Sequence, residues 1–146
     1  LLIDDTLLGI DSFAANYSAK IKVKYTCQKS QVVLCDTAKI EQVLDNLIVN
    51  AIKYSEEPRS VKIVLEDAGT KIHISVIDNG FGVPEKDIHR IFERFYRVDK
   101  ARSREAGGSG LGLSIVKHII DRHSESIEVH SEEGVGTTFR FTLTKA

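Results

Sequence analysis

The sequence predicts an α+β fold, a two-layer sandwich in which helices cover one face of a sheet. Three observations predict it. Ile40, Val43, Leu44, Leu47, Ile48, Ala51 and Ile52 recur at helical spacing and make one continuous apolar stripe. Residues 21–27, 60–66 and 71–78 alternate apolar with polar side chains, the period of a half-buried strand. Strands mix with three or four helices without regular βαβ alternation, which does not suit a doubly wound sheet. The sheet face away from the helices must be covered by something else or stay wet.

Length and charge bound the rest. At 146 residues the chain fits one domain with a real core. Its 42% hydrophobic and 28% charged content is that of an ordinary globular protein. A net charge of −1 argues against a nucleic-acid binder, which is usually clearly basic. No apolar run approaches a membrane span and no signal peptide is visible, so no direct membrane contact is expected of this stretch. The chain starts at Leu1 rather than Met and is expected to be excised from something longer. Cys27 and Cys35 fall in neighbouring predicted strands, where a hairpin turning near Ser30 would place them out of register. Two thiols without metal-ligand spacing suggest a reducing compartment and no disulfide. His73, His89, His118, His123 and His130 are scattered and are expected to be structural or solvated, not metal ligands.

In chain order, residues 5–18 read as a short amphipathic helix with Leu7, Leu8, Ile10 and Phe13 inward. Residues 1–20 are thus a lead-in, and the main domain runs over 21–146. A strand at 21–27, a polar turn at 28–31 and a second short strand at 32–35 follow. Asp36 is placed to cap the long helix. Glu56-Glu57-Pro58 ends it, since proline cannot continue a helix. Strands at 60–66 and 71–78 flank Asp67-Ala68-Gly69-Thr70, a good hairpin signal. Asn79-Gly80-Phe81-Gly82-Val83-Pro84 is a glycine-rich loop, and 85–92 a short helix. Residues 93–110 have no clean periodicity, and a loop this long inside a compact domain is usually functional or mobile. Residues 111–123 form a helix with Ile115, Val116, Ile119 and Ile120 inward. Strands at 126–130 and 137–143 close the domain around Glu133-Gly134-Val135-Gly136.

Four features could carry chemistry. Asn46, Asn50 and Lys53 make a second stripe on the long helix, with Tyr54 beside it. Short amides in mid-helix compete with the backbone, and a bland surface more often carries Glu, Lys or Gln. Amide oxygens, an ammonium and an aromatic ring on one edge suit a metal–phosphate–base ligand; a solvated face is the alternative. Asp78 ends a strand and opens Asp-Asn-Gly. Turn chemistry explains that, and so does a carboxylate accepting from adenine's exocyclic amine, with Gly80 and Gly82 giving clearance for the ring. Arg94, Arg97, Lys100, Arg102 and Arg104 interleave with Phe92, Phe95 and Tyr96. They are either a solvated charge run or a cover whose guanidinium groups close over phosphates. Gly107-Gly108-Ser109-Gly110-Leu111-Gly112 directly precedes a helix, where backbone N–H groups and the helix N-terminus favour a polyphosphate. Leu113 excludes the Rossmann pattern, which needs glycine there, and the Walker pattern, which needs lysine. A flexible hinge is the other reading of this run.

The order of the pieces says more than any one of them. NLIVNAIKYS, DNGFGVP, IFERFYRVDKARSREAGGSGLGLSIVKHI and GVGTTFRF occur in that sequence. With them the chain resembles the ATP-binding catalytic domain of bacterial sensor histidine kinases, within the gyrase-, chaperone- and mismatch-repair-type ATPase superfamily. The resemblance covers about 21–143, and its lid wording is similar to the phosphate-starvation and cell-wall sensor kinases of Gram-positive bacteria. It implies a Bergerat-type fold: a left-handed α/β sandwich with a mixed, mostly antiparallel sheet and a mobile ATP lid at about 93–110.

ATP and Mg²⁺ are the ligands this resemblance implies. Asn50 would be the Mg²⁺ ligand, with phosphate oxygens and waters completing the shell, and Asn46 would support the same edge. Lys53 would meet the phosphates, Tyr54 would flank the adenine, and Asp78 would hold its amine with Gly80 and Gly82 behind. Arg97 and Arg102 would be lid cations reaching the β- and γ-phosphates. Gly108, Gly110, Leu111 and Gly112 would cradle the phosphate chain, and Thr137 would add a hydroxyl near the adenine. Asn50, Lys53, Arg97 and Arg102 are the implied catalytic set. Two departures stand out. Ser124-Glu125 replaces a glycine the family often has after its last helix, and the phosphoacceptor-histidine block is absent.

Hydrolytic members of the superfamily place a glutamate one turn before the metal-binding asparagine. Here that position is Asn46, so phosphoryl transfer by positioning and charge neutralisation is favoured over hydrolysis. By resemblance, the acceptor is a histidine on the parent's own dimerisation domain, and a response-regulator aspartate follows. The fragment is expected to bind Mg·ATP as a monomer without labelling itself. Its parent would be a homodimeric bacterial inner-membrane receptor with this domain in the cytoplasm. A non-catalytic nucleotide-binding module and an anti-sigma-type protein-serine kinase, which tends to carry a carboxylate at the position of Asn46, are the alternatives.

Overall fold

The computed structural model describes residues 20–25, 33–54, 60–94, 96 and 112–146. Its elements are β1 (Lys20–Tyr25), β2 (Val33–Leu34), α1 (Thr37–Lys53), β3 (Ser60–Ala68), β4 (Lys71–Asp78), a 3₁₀ helix (Glu85–Arg90), α2 (Gly112–Arg122), β5 (Ile127–Glu132) and β6 (Gly136–Lys145). The expected helix at 5–18 and most of the loop at 93–110 lie outside the described residues. No helix among the described residues is long and apolar enough to cross a membrane.

The strands form one sheet in the order β1-β3-β4-β6-β2, with β5 also paired to β6. β1 and β3 run parallel, and every other pair is antiparallel. The α+β sandwich with a mixed, mostly antiparallel sheet is therefore as the sequence predicts. The hairpin between the first two strands is not. β1 lies on β3 and β2 on the far end of β6, so three strands separate them. Parallel partners need a crossover, and the segment from β2 through α1 supplies it. β2 offers only Val33 and Leu34, which pair with Lys145 and Thr144 beyond the stretch of β6 that β5 covers. Cys35, just after β2, carries a free thiol. Burial first, and the charge of Asp36 second, push its pKa up and keep it protonated.

α1 forms where the apolar stripe demands it. All seven stripe residues are buried at 2% exposure or less. Asp36 caps its start, accepting the Lys39 N–H at 3.2 Å. The helix ends at Lys53, with the Tyr54 N–H closing back on the Asn50 carbonyl. α2 buries Val116, Ile119 and Ile120 in the same core. Burying each such side chain contributes roughly 1.5–3 kcal/mol. His123, at the end of α2, takes the Asp36 N–H on Nε2 at 3.0 Å and faces the Ile119 carbonyl with Nδ1 at 2.9 Å. It is a structural tie between the two helices, as expected.

The Ser124-Glu125 departure has a specific structural form. Glu125 N–H bonds the Ile120 carbonyl and Ser124 N–H the Asp121 carbonyl, a Schellman closure of α2. Ser124 adopts the left-handed conformation (φ 56°) that such closures usually give to glycine. The Glu125 side chain, 4% exposed, receives Lys71 Nζ and the hydroxyls of Thr142 and Thr144. Residues 85–90 are a 3₁₀ helix, shorter than the helix expected over 85–92, because i→i+3 bonds such as Asp87 N–H to Pro84 O suit so short a piece.

Side chains on the inward face of the sheet line up in cross-strand rows. Leu65, Ile74, Phe141 and Ile127 form one row, and Ile63, Val76, Phe139 and Val129 the next. The last row, at the sheet's end, is Val61, Asp78, Thr137 and Ser131. There the apolar face turns polar. The outward face carries Lys62, Glu66, His73, Thr138 and Arg140 beside Val64 and Ile77, and Ser75 on that face is buried.

Candidate functional site

The polar end row is the floor of the candidate site. Asp78 is the last residue of β4, and its Oδ1 accepts the Gly80 N–H at 2.8 Å and the Thr137 N–H at 3.2 Å. Oδ2 has no partner among the described residues. Burial pushes the Asp78 carboxyl up to about 6, against the downward pull of those two hydrogen bonds. Thr137 is 7% exposed and belongs to the inward register of β6.

The glycine-rich loop joins this floor to α1. Phe81 N–H donates to the Tyr54 carbonyl at 3.2 Å, and Gly134 N–H to the Phe81 carbonyl at 2.8 Å. A Cβ on Gly80 would stand 2.3 Å from the Tyr54 carbonyl oxygen. At Gly82 (φ 73°) it would stand 2.3 Å from the Glu132 carbonyl oxygen. The clearance these glycines provide is thus taken up by the chain's own backbone, which passes close on both sides. That approach sets the end of α1 beside the end of β4.

Asn46, Asn50, Lys53 and Tyr54 are half-buried along the same edge of α1. The Asn46 Nδ2 is buried and has no hydrogen-bond partner among the described residues. A buried amide donor left unpaired costs about 1–3 kcal/mol, so it calls for an acceptor from a ligand or water. The structure therefore brings Tyr54, Asp78, Gly80, Gly82 and Thr137 to one end of the sandwich, with Asn46, Asn50 and Lys53 along the edge of α1 that leads to Tyr54. Gly112 opens α2, and a Cβ there would meet no described atom within 4 Å. Arg97, Arg102, Gly108, Gly110 and Leu111 lie outside the described residues.

Two of the aromatic anchors are visible at the start of the long loop. Phe92 packs edge-on against Phe139 with ring centroids 6.1 Å apart. The Tyr96 hydroxyl donates to buried Asp87, and the Arg90 guanidinium lies 4.5 Å from the Tyr96 ring centre. Asp87 was not singled out by its sequence, and neither was Ser131. Ser131 Oγ meets the Val83 N–H at 2.6 Å, the Gly136 carbonyl at 3.1 Å and Thr137 Oγ1 at 2.9 Å. One signal could have found it: in IEVHSE the inward positions read Ile127, Val129, Ser131, a polar residue in an apolar register.

Among the described residues no group of three or more His, Cys, Asp and Glu could hold a metal ion. A cation at this edge would rest on an amide oxygen, ligand oxygens and water, the shell that suits Mg²⁺.

The family model described as histidine kinase-, DNA gyrase B-, and HSP90-like ATPase matches residues 35–146. The sensor histidine kinase WalK of Bacillus subtilis is 51% identical over 110 residues, covering 74% of this chain and 18% of that protein. The sensor-like histidine kinase SenX3 of Mycobacterium tuberculosis is 44% identical over 126 residues, covering 86% of this chain and 31% of that protein. The chain thus spans less than a third of these relatives. The catalytic domain of histidine kinase ThkA, nucleotide-free, matches with a TM-score of 0.83 at 30% identity over 99% of this chain and 90% of that one. ThkA in complex with response regulator protein TrrA matches with a TM-score of 0.79 at 29% identity, over 99% and 40% of the two chains. The chain belongs to the histidine kinase-, DNA gyrase B-, and HSP90-like ATPase family, in the form found as the catalytic domain of sensor histidine kinases.

Proposed function

We propose that this chain binds Mg·ATP and presents the γ-phosphoryl group to a histidine on the dimerisation domain of its own parent, for onward transfer to a response-regulator aspartate. The observation that carries the reading is Asp78: two backbone N–H groups occupy Oδ1, which leaves Oδ2 as the acceptor for adenine's exocyclic amine. Tyr54 flanks the base, with Gly80 and Gly82 behind it and Thr137 beside it. Asn46 Nδ2 donates to a phosphate oxygen or to a water held against it. Lys53 meets the phosphates, and the Asn50 side-chain oxygen is the protein's ligand to Mg²⁺. When bound, the metal neutralises phosphate charge. Arg97 and Arg102 reach the β- and γ-phosphates, and Gly108, Gly110, Leu111 and Gly112 cradle the chain.

Asn46 also separates phosphoryl transfer from hydrolysis. An amide cannot take a proton from water as a carboxylate does. The same absence removes the base a protein-serine kinase would use. The parent is a homodimer anchored at the inner membrane; residues 1–20 lead in from its dimerisation helices, residues 21–146 are the monomeric catalytic unit, and 93–110 is its lid. The ThkA–TrrA complex supports a response regulator as the partner.

Calorimetric titration with ATP and GTP, with and without Mg²⁺, tests the nucleotide half. ATP is expected to bind, GTP to bind far more weakly, and metal removal to weaken ATP. Labelled ATP tests the transfer half: the domain alone stays unlabelled, and a matching dimerisation helix pair acquires acid-labile phosphate. Equal affinity for the two nucleotides, or phosphate on the isolated domain, would refute the reading.

A further inference from the structure

We infer that Ser131 sets the base selectivity of this pocket, by holding the hydroxyl proton of Thr137 so that only acceptors face the base. The inference rests on the adenine reading of the site. A serine hydroxyl has one proton to give and two lone pairs to receive. Ser131 Oγ has three partners: the Val83 N–H, the Gly136 carbonyl oxygen and Thr137 Oγ1. One arrangement satisfies all of them. Val83 N–H must donate and the Gly136 carbonyl must accept, so the only proton of Ser131 goes to Gly136. Thr137 must then donate to Ser131, which fills the second lone pair.

The consequence is at Thr137. With its proton committed, Thr137 Oγ1 can only accept from anything beyond. Beside it, Asp78 Oδ2 is also an acceptor. Cross-strand register holds the two side by side, since Thr137 lies opposite Ser131 and continues the Ile77–Thr138 pairing of β4 with β6. The two N–H bonds of a 6-amino group can meet such a pair. A 6-oxo purine sets O6 against those acceptors and has only its N1–H to offer in return, so one of the two stays mismatched, and a mismatched buried acceptor is what discriminates most strongly. Ser131 touches no base; it is a positioning residue acting through Thr137. A mere clip, tying Val83 and the loop of Gly82 to β5, would move the affinity of all nucleotides alike.

The test compares ATP with inosine triphosphate, measured as dissociation constants on the whole chain. The unaltered protein prefers ATP. Ser131→Ala frees the Thr137 proton to turn toward O6, and the ATP-to-ITP affinity ratio falls about tenfold, the size of one hydrogen-bond mismatch. ITP gains more than ATP loses. Ser131→Thr restores the hydroxyl and the ratio. Thr137→Val, which leaves the Val83 and Gly136 contacts of Ser131 in place, lowers the ratio too and decides the matter should Ser131→Ala not fold. An unchanged ratio in either Ser131→Ala or Thr137→Val overturns the inference while the adenine reading stands. No preference for ATP in the unaltered protein overturns both.

Discussion

Thr137 donates its backbone N–H to Asp78 Oδ1 at 3.2 Å from the neighbouring strand, and so decides which carboxylate oxygen is left for a ligand. The buried charge of Asp78 acts with opposite signs on stability and on binding. Burial raises the Asp78 pKa from 3.8 to about 6, so the folded state holds this proton more tightly than the unfolded chain. Stability from this group is present below about pH 4, and is lost as pH rises through about 6. Asp78→Asn keeps an oxygen for Gly80 and Thr137 but carries no charge. The variant is expected to be about 1–2 kcal/mol more stable than the parent chain at pH 7.5, and level with it at pH 4, by chemical denaturation. Its amide then meets adenine's amine donor to donor, and ATP affinity drops by about a hundredfold. A variant that binds ATP normally contradicts the base assignment.

The α1 edge is expected to divide its labour. Lys53→Ala should weaken ATP by about tenfold with or without metal, since an ammonium meets phosphate directly. Asn50→Ala should weaken ATP mainly when Mg²⁺ is present, leaving metal-free binding close to normal. Titrations at matched ionic strength separate the two patterns. If Asn50→Ala weakens metal-free binding equally, Asn50 is not the ligand to the ion.

Ser124 invites a gain in stability away from the site. It occupies a left-handed position (φ 56°) where the missing Cβ of glycine would relieve strain. Ser124→Gly is expected to add about 0.5–1 kcal/mol, less whatever the more flexible unfolded chain takes back. Urea denaturation reads the change, and ATP affinity should stay put. A loss of stability would show that the serine side chain outweighs its backbone strain.

Glycines with the same backbone sign should tolerate alanine very differently. Gly82 (φ 73°) has the Glu132 carbonyl 2.3 Å from where a Cβ would sit, whereas Gly134 (φ 82°) meets nothing within 4 Å among the described residues. Gly134→Ala carries only the left-handed penalty, about 1 kcal/mol. Gly82→Ala adds a backbone clash and should cost about 2–4 kcal/mol. Thermal melts that ranked the two equally would mean the loop yields around position 82 without resistance.

Local periods made much of this molecule legible. The stripe from Ile40 to Ile52, the Asp36 cap and the hairpin at Asp67–Thr70 each depend on residues a few positions apart, and each is found as expected. Strand partners depend on residues far apart, so the parallel pairing of β1 with β3 was hidden behind a plausible hairpin. Ser131 was missed for the same reason: one polar residue in a short strand is unremarkable until Thr137 is known to lie opposite it.

What the sequence determined by itself was composition, element order and the family-like order of its boxes, because periodicity and spacing are properties of neighbours along the chain. Tertiary structure decided what fills the room beside Gly80 and Gly82, which oxygen of Asp78 stays open, and which way the Thr137 proton points. Those depend on backbone and side chains delivered by β3, β4, β5, β6 and the end of α1 to a single place. Hydrogen bonds are satisfied in three dimensions, and their donors and acceptors have no address in a linear string.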